Sequence, residues 1–291
     1  MIRGELLDTK HQVFLTIIET GSFSKAAERL FMTQPAVSQY IKQLELEIGV
    51  ALFDRSTKKL HITGAGRIVE RYVRQLADMH VEMEQAIHDY LNEVKGLLRI
   101  GASYSFGEYV LPNIVASFLQ RYAEVTPQIA IHNTYEIANE VVKQQIDIGI
   151  VEGYVEHPQL SLQKIAQDEM VVVAHRPNIN IANETWIVRE RGSGTRDAMN
   201  TFFAKYQLKP KLMYEYGSTQ LIKGTVMAGI GISYLSKWTV QRELEEGRLF
   251  TINEAEYKMV RDFYCIQRKE AVRSRVFDAF IQHLHKSCNL L

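Results

Sequence analysis

The feature that most constrains the fold is residues 22–66, where two short amphipathic stretches flank a tight connection. Thr33 is a good N-cap for the second stretch, and Pro35 lies in its first turn, where a missing N–H costs nothing. The apolar residues of the first stretch recur at helical spacings of three and four: Phe23, Ala26, Ala27 and Leu30. The segment therefore predicts two short helices joined by a turn.

The second predicted helix has a polar side whose residue types suit base recognition. Glutamine can pair with adenine, serine with a base or a phosphate, and lysine with guanine or a phosphate. A solvated helix face has the same composition, so this face alone leaves both interpretations open. Its residues are Gln34, Ser38, Gln39 and Lys42.

A basic segment follows this helix. After Gly49, the run LFDRSTKKLHIT places the β-forming Leu60 and Ile62 next to Arg55, Lys58 and Lys59. Basic side chains on a small hairpin can bind backbone phosphates. The order of helix, turn, helix, basic hairpin and new helix start predicts a winged helix-turn-helix that reads double-stranded DNA.

Residues 14–66 resemble the DNA-binding domain of LysR-type transcriptional regulators in an almost unbroken run, FLTIIETGSFSKAAERLFMTQPAVSQYIKQLELEIGVALFDRSTKKLHITGAG. The resemblance implies a bacterial cytoplasmic regulator of promoter DNA, with a dimerising linker helix and a C-terminal effector domain like the periplasmic binding proteins. It assigns base reading to the helix beginning near Gln34 and phosphate contacts to Ser22, Ser24, Arg55 and the wing. The resulting DNA-binding set is Ser22, Ser24, Lys25, Thr33, Gln34, Pro35, Ser38, Gln39, Lys42, Arg55, Lys58 and Lys59.

Charge and composition limit the function classes. Basic and acidic residues both total 34 in the 291-residue chain, and residues 1–75 carry eleven against eight, so one DNA-binding head should bind weakly. No run of 18 apolar residues and no export leader occurs, which favours the cytoplasm and argues against a membrane. Cys265 and Cys288 have no metal or disulfide spacing, so we expect no metal and no cofactor.

A linker helix is predicted from residue 65 to about residue 95, a stretch without Pro and, after Gly66, without Gly. Thr63 is its expected N-cap, and Gly96 its expected end. Apolar residues repeat along it in two heptad rows, with His80 as the one polar exception, which favours a homodimer over packing on its own domain. The rows are Val69, Leu76, Met83 and Tyr90, and Val73, His80, Ile87 and Val94.

Beyond Gly96 the chain alternates short strands and helices, which predicts an α/β domain with parallel sheet character. The predicted strands are LLRIGAS, QIAIHNT, IDIGIVEG, EMVVVAH, TWIVRER, KLMYEY, IGISYLS and DFYCIQR. The family resemblance implies two lobes (type II periplasmic-binding-protein-like) joined by two crossing strands, which we expect near 163–168 and 265–269. The expected domains are 1–64 (winged helix-turn-helix), 65–93 (linker helix) and 94–291 (effector domain; lobe I 94–164 and 269–291, lobe II 165–268).

Two glycine- and hydroxyl-containing turns are the candidate effector site. Residues 101–105 and 191–196 each lie between a strand and a helix, where ligands bind in open α/β sheets. Hydroxyls, exposed N–H groups and two arginines would suit a small anionic or carboxylate effector; a tight turn with a capped helix is the simpler interpretation of GSGT. The candidate residues are Ser103, Tyr104, Ser105, Thr134, Glu152, Arg191, Ser193, Gly194, Thr195 and Arg196.

The rival function classes have weaker support. The nine histidines form no metal or catalytic motif, and Ser193 lacks a nucleophile elbow, so we expect no enzyme activity. A solute-binding protein of the transport type would suit the C-terminal part alone. The family resemblance instead implies a homodimer, with a homotetramer common, and RNA polymerase is a further candidate partner. The stretch RERGSGTR resembles the branch of the family linked to sulfur assimilation.

Overall fold

The computed structural model describes residues 8–54, 60–269 and 273–288. The chain divides into two compact units between Ile87 and His88. The N-terminal unit contains α1 (Thr9–Thr20), α2 (Phe23–Arg29), α3 (Gln34–Ile48), β1 (Phe53–Asp54), β2 (His61–Ile62) and most of α4 (Gly64–Tyr90). Among the described residues, no helix is long and apolar enough to cross a membrane.

Local signals set the helix boundaries of the N-terminal unit. Ser22 and Thr33 are the N-caps of α2 and α3, Thr33 as the sequence predicts, and each hydroxyl accepts a backbone N–H three residues on. Gly21 and Gly49 end α1 and α3 in the left-handed region, where glycine has no steric penalty. These caps hold α2 and α3 as two short helices around one turn.

The apolar sides of the three helices form one core. Phe14 packs against Phe53 of β1, and Val73 extends this core into α4. Gly66 is required at the start of α4, because a Cβ atom there would overlap the Leu52 carbonyl oxygen and lie 2.6 Å from Ile62 Cγ1. The first turns of α4 are therefore fixed to the DNA-binding core.

Helix α4 ends earlier than the sequence predicts. Asn92 adopts a left-handed conformation with φ of 59°, and Glu93 N donates to His88 O, which closes the helix after Tyr90. Asn is the next most tolerant residue after Gly at this position. The prediction that Gly96 ends the helix is wrong, because Gly96 is the first residue of the next strand.

The predicted heptad rows are divided between a core and an exposed face. Val69 and Val73 pack in the N-terminal core, and Val94 packs in the core of the C-terminal unit. His80 is paired with Glu84 at 3.3 Å. A continuous exposed apolar face remains on α4, which we call the α4 stripe; it comprises Ile68, Tyr72, Leu76, Met79, Met83, Ile87 and Tyr90.

The C-terminal unit contains eight predicted strands and several further elements. In chain order they are β3 (Gly96–Ser103), α5 (Tyr104–Tyr109), α6 (Leu111–Arg121), β4 (Val125–His132), α7 (Thr134–Val142), β5 (Ile148–Glu152), β6 (Leu160–Ala174), β7 (Trp186–Arg189), α8 (Gly194–Lys205), β8 (Met213–Tyr216), α9 (Thr219–Met227), β9 (Ser233–Ser236), α10 (Lys237–Glu245), β10 (Phe250–Thr251), α11 (Glu254–Tyr257), β11 (Met259–Arg268) and α12 (Arg275–Cys288). The short β10 and α11, and the first half of β6, were not predicted.

The sheet is mixed rather than wholly parallel. Strands β3, β4 and β5 are parallel, as are β7 and β8. Strands β6 and β11 run antiparallel to each other and to their other neighbours. The antiparallel strands are the two that pass between the lobes, so the chain can return without a crossover helix.

The two long strands connect two lobes. On β11, Phe263 to Ile266 pair with β5 of the first lobe, whereas on β6, Met170 to Val173 pair with β9 of the second lobe. A bulge between Phe263 and Tyr264 marks the change of neighbours on β11, just before the predicted range 265–269. The first lobe comprises β3–β5, α5–α7 and α12, and the second β7–β10 and α8–α10. Each lobe has apolar clusters on both faces of its strands.

Candidate functional site

The predicted DNA-reading side chains lie together on the N-terminal unit. Gln34, Gln39 and Lys42 are exposed on α3, and Gln34 Nε2 donates to Ser38 Oγ at 3.1 Å. Ser24 and Lys25 are exposed in the first turn of α2, and Pro35 opens α3. Residues Arg55, Lys58 and Lys59 lie outside the described residues; the flanking β1 and β2 pair as an antiparallel hairpin.

The candidate effector site is built around a buried arginine that the sequence did not single out. Arg261 on β11 donates from Nε to Asp168 Oδ2 at 2.8 Å and from Nη1 to Glu152 Oε2 at 2.7 Å. It also donates from Nη1 to Thr195 Oγ1 and from Nη2 to Ser105 Oγ, both at 3.0 Å. One guanidinium thus joins both lobes to both crossing strands.

The two carboxylates accept further hydrogen bonds from helix and strand ends. Glu152, at the end of β5, accepts from Ser105 N at 3.0 Å and from Thr195 Oγ1 at 2.9 Å. Asp168, the register partner of Arg261 on β6, accepts from Ser236 Oγ at 2.9 Å. All these residues are buried. We call this set (Ser105, Glu152, Asp168, Thr195, Ser236 and Arg261) the hinge network.

Burial and ion pairing act in opposite directions on its pKa values. Burial alone would raise the pKa of Glu152, but the Arg261 charge and the bonds from Ser105 and Thr195 outweigh it and lower that pKa. At Asp168 burial prevails over Arg261 and Ser236, so its pKa is raised. Burial opposes the charge of Arg261, yet the two carboxylates raise its pKa overall. Asp168 is therefore the carboxylate of the network that takes a proton more easily.

The lobes touch beside this network. Tyr135 N of the first lobe donates to Gly192 O of the second at 3.2 Å, and within the first lobe Thr134 Oγ1 donates to Glu152 O at 3.3 Å. A Cβ atom on Gly194 would lie 2.6 Å from Glu152 Cβ, so only glycine lets the start of α8 approach β5 this closely. The structure thus holds the lobes in contact along this edge of the cleft.

Neither of the predicted arginines, Arg191 and Arg196, belongs to the hinge network. Arg196 Nη1 donates to Arg189 O at 2.7 Å and to Glu215 Oε2 at 2.9 Å, which ties α8 to β7 and β8. Arg191 is exposed in the turn before α8. The effector-binding roles of both residues stay predictions.

A second arginine, Arg189 at the end of β7, is buried and faces the first lobe. Its guanidinium donates to Glu190 at 2.7 and 2.8 Å and to Thr219 Oγ1 at 3.1 Å. Its carbon Cζ lies 4.5 Å from the centre of the Tyr104 ring, a cation–π contact between the lobes. The predicted residue Tyr104 therefore contacts a cation that the sequence analysis missed.

Two predicted serines make no capping hydrogen bond with their side chains. Ser103 ends β3 and is 2% exposed, and among the described residues its hydroxyl has no hydrogen-bond partner. Ser193 is equally buried. Both occupy N-cap positions, before α5 and α8, but neither side chain makes a capping bond. Such hydroxyls are available to a ligand.

The sequence carried a signal for the missed residues. Arg261, Phe263 and Cys265 alternate along β11 and are all buried, as are Asp168 and Met170 on β6. The period of two places a charge on the covered face of each strand, and buried charges are almost always paired. Comparing the phases of the two strands would have predicted a buried ion pair.

Two known protein families match the two parts of the chain. Residues 9–67 match the family described as bacterial regulatory helix-turn-helix protein, lysR family, and residues 91–289 match the LysR substrate binding domain. The second match alone spans more than half of the chain. The chain belongs to the LysR family. Its members are DNA-binding transcriptional regulators with an effector-binding domain, so the transport-type alternative is not supported.

Individual relatives agree with the family assignment. The chain is 35% identical over 243 residues to the HTH-type transcriptional regulator CysL of Bacillus subtilis, covering 80% of this chain and 81% of that protein. The crystal structure of full-length CbnR with its target DNA has a TM-score of 0.72 and 19% identity, over 96% of this chain and 99% of CbnR, which shows the same fold.

A second similar structure holds a ligand. The regulatory domain of CcmR from Synechocystis in complex with 2-PG is 26% identical, with a TM-score of 0.60, over 65% of this chain and 96% of that one. The predicted winged helix-turn-helix and two-lobed α/β effector domain are confirmed by these matches.

Proposed function

We propose that this LysR-type regulator is controlled by a small oxyanion bound between its lobes, next to Ser103 and the start of α8. One observation carries the proposal: the carboxylates in the cleft are already bonded, so the groups left for a ligand are donors. Glu152 and Asp168 are held by Arg261, and the hydroxyls of Ser105 and Thr195 belong to the hinge network.

The available donors suit an anion. The buried Ser103 hydroxyl has no partner among the described residues, and Asp197 N is the first amide of α8 that reaches a backbone carbonyl, that of Ser193. The preceding amides of Gly194, Thr195 and Arg196 therefore have no acceptor within the helix. The positive end of the helix dipole favours a negative charge there. CcmR was solved with 2-PG, which agrees with an anionic effector here.

Calorimetry on the full-length protein tests this proposal, with sulfate and 2-phosphoglycolate as probes. Ser103→Ala should weaken binding of the preferred anion about tenfold, because one buried hydrogen bond to a charged group is lost. Ser117→Ala is the matched control, since its hydroxyl already bonds Ile114 O and the His283 ring on the far side of α6. Equal weakening by both substitutions, or none by either, would remove the assignment.

We also propose that DNA contacts come from the predicted set. Gln34, Ser38 and Gln39 would contact bases, Lys42 a base or a phosphate, and Pro35 would lie against the DNA at the start of α3. Phosphates would be bound by Ser22, Ser24, Lys25, Thr33 and the wing residues Arg55, Lys58 and Lys59. The exposure of the α3 face and its position after a capped turn support this. Two heads would read an imperfect palindrome with half-sites spaced by whole helical turns. We place this activity in the cytoplasm, as binding without catalysis, with sulfur assimilation as the first pathway to test.

We propose that the protein forms a homodimer through α4. The α4 stripe is exposed over residues 68–90, and its spacings of three and four are those of a helix-packing seam. Met79→Glu should shift the protein toward monomers in sedimentation velocity. Arg74→Glu, five residues away on the opposite side of the helix, should not. A monomeric wild type at micromolar concentration would contradict the proposal.

A further inference from the structure

The hinge network has an unbalanced charge. Glu152 and Asp168 share one guanidinium, that of Arg261, and these side chains are buried. With both carboxylates ionised, the network carries one net negative charge beside the donors of Ser103 and α8. Like charges at a few ångströms in a buried site oppose each other strongly. An oxyanion therefore enters a cleft that already holds an uncompensated negative charge.

The hydrogen bonds show which carboxylate can lose its charge. Glu152 Oε1 accepts from the backbone amide of Ser105, a pure donor, so a proton on that oxygen would oppose the bond. Glu152 Oε2 accepts from Arg261 and from Thr195 Oγ1, and that hydroxyl oxygen already accepts from Arg261, so a proton there would displace a bond as well. Asp168 Oδ1 instead accepts from Ser236 Oγ, a hydroxyl that can also accept. Protonated Asp168 would donate to Ser236, and its Oδ2 would keep the bonds from Arg261. Asp168 can gain a proton without losing a partner.

The surroundings of Asp168 also favour this site. It is among the residues that line a cavity of about 580 Å³ between β6, β11 and α10, although its carboxylate itself has no exposed surface. Acidic side chains outnumber basic ones around Asp168. The charged and titratable groups facing it are Arg261 from β11, Glu152 from β5, Tyr234 from β9, Lys237 and Glu245 from α10, and Glu169 on its own strand.

We propose that binding of the oxyanion is coupled to the uptake of one proton by Asp168, so that the protein binds its effector more tightly as the pH falls. The inference rests on the proposed function, because it concerns the same cleft. Asp168 has a raised pKa before the anion enters, and a second negative charge raises it further. Where the free protein has Asp168 charged and the complex has it protonated, linkage allows at most a roughly tenfold gain in affinity per pH unit.

Sulfate is the appropriate probe, because it does not titrate above acidic pH and any proton taken up must come to the protein. Calorimetry of the full-length protein in bis-Tris and in Tris at the same pH gives the number of protons bound, since the two buffers differ in ionisation enthalpy. We expect a net uptake of protons on sulfate binding, of at most one proton per sulfate, and an affinity that falls as the pH is raised.

Asp168→Asn tests the residue directly. The Asn side chain reproduces protonated Asp168, because its carbonyl accepts from Arg261 and its amide donates to Ser236. It should abolish the uptake and leave sulfate affinity independent of pH. Glu108→Gln is the matched control: burial raises the pKa of Glu108, which lies near Arg189 and Lys223, and this variant should keep the uptake.

The outcomes separate the two proposals. Sulfate binding to the wild type without proton exchange would overturn the coupling alone. Loss of uptake in Glu108→Gln, or full uptake in Asp168→Asn, would overturn the assignment to Asp168. Failure of the wild type to bind sulfate or 2-phosphoglycolate at any pH would overturn the oxyanion site together with the coupling. The wild-type measurement decides the coupling even if Asp168→Asn fails to fold.

Discussion

The DNA-binding face and the hinge network use polar side chains in opposite ways. On the polar side of α3, Gln34 is exposed and bonds Ser38, only four positions away. In the hinge network, Arg261 is buried and bonds Ser105, which is 156 residues away. Exposed local groups are ready for an external partner, whereas buried distant groups hold the fold itself. Substitutions should therefore change binding at the first region and folding at the second.

Arg261→Met should have the largest effect, because it leaves Glu152 and Asp168 as buried carboxylates without their counter-charge. We expect a loss of about 3–5 kcal/mol in the free energy of unfolding of the C-terminal unit. Urea denaturation followed by tryptophan fluorescence measures it, since both tryptophans, Trp186 and Trp238, lie in that unit. The exposed Arg191→Met should change stability by less than about 0.5 kcal/mol. Equal free energies of unfolding for Arg261→Met and Arg191→Met would contradict this difference between buried and exposed side chains.

Gly194→Ala should have the second-largest effect on stability. The new Cβ would lie 2.6 Å from Glu152 Cβ, so the start of α8 would have to move away from β5. We expect a loss of about 1–3 kcal/mol and weaker anion binding. Gly224→Ala in α9 is the opposite control: no atom lies within 4 Å of its Cβ position, and alanine should stabilise the helix by up to about 1 kcal/mol. Two variants of equal stability would contradict the close lobe contact.

Gln39→Ala should weaken DNA recognition and leave the stability of the protein almost unchanged. The side chain is exposed, so the unfolding free energy should stay within about 0.5 kcal/mol of the wild type. Discrimination at one base pair should fall by about 1–3 kcal/mol. Selection of binding sites from a random DNA pool, with wild type and variant compared, measures this preference. An unchanged consensus would show that Gln39 does not read a base.

Lys42→Ala should have the smallest effect. If this exposed lysine binds a phosphate, the variant should bind all sequences slightly less tightly, and the slope of log affinity against log salt should become shallower by about one unit. Fluorescence anisotropy at several salt concentrations provides both quantities. A variant that loses discrimination at one base pair, with the slope unchanged, would move Lys42 to base reading.

These contrasts explain what the sequence could predict. The caps Ser22 and Thr33 act over three residues, so a local pattern reveals the helix-turn-helix. The turns around Ser105 and Thr195 could be found because glycine and hydroxyl residues mark strand-to-helix connections. Arg261 could not be found in this way, since it lies 109 residues from Glu152 and its role arises only when two strands cross. Asn92 ended α4 before Gly96 because asparagine tolerates the same left-handed conformation.

The close fit of Gly66 against Leu52 and Ile62 makes α4 a rigid extension of the DNA-binding core rather than a flexible connection. Its 27 residues span about 40 Å at a rise of 1.5 Å per residue. Because its first turns cannot swivel within the DNA-binding core, a tilt of about 5° at its far end displaces that core by about 3.5 Å, close to the 3.4 Å rise of one base pair. In the dimer proposed above, a rearrangement of a few degrees between the two α4 helices would therefore be enough to change which half-site spacing the protein fits.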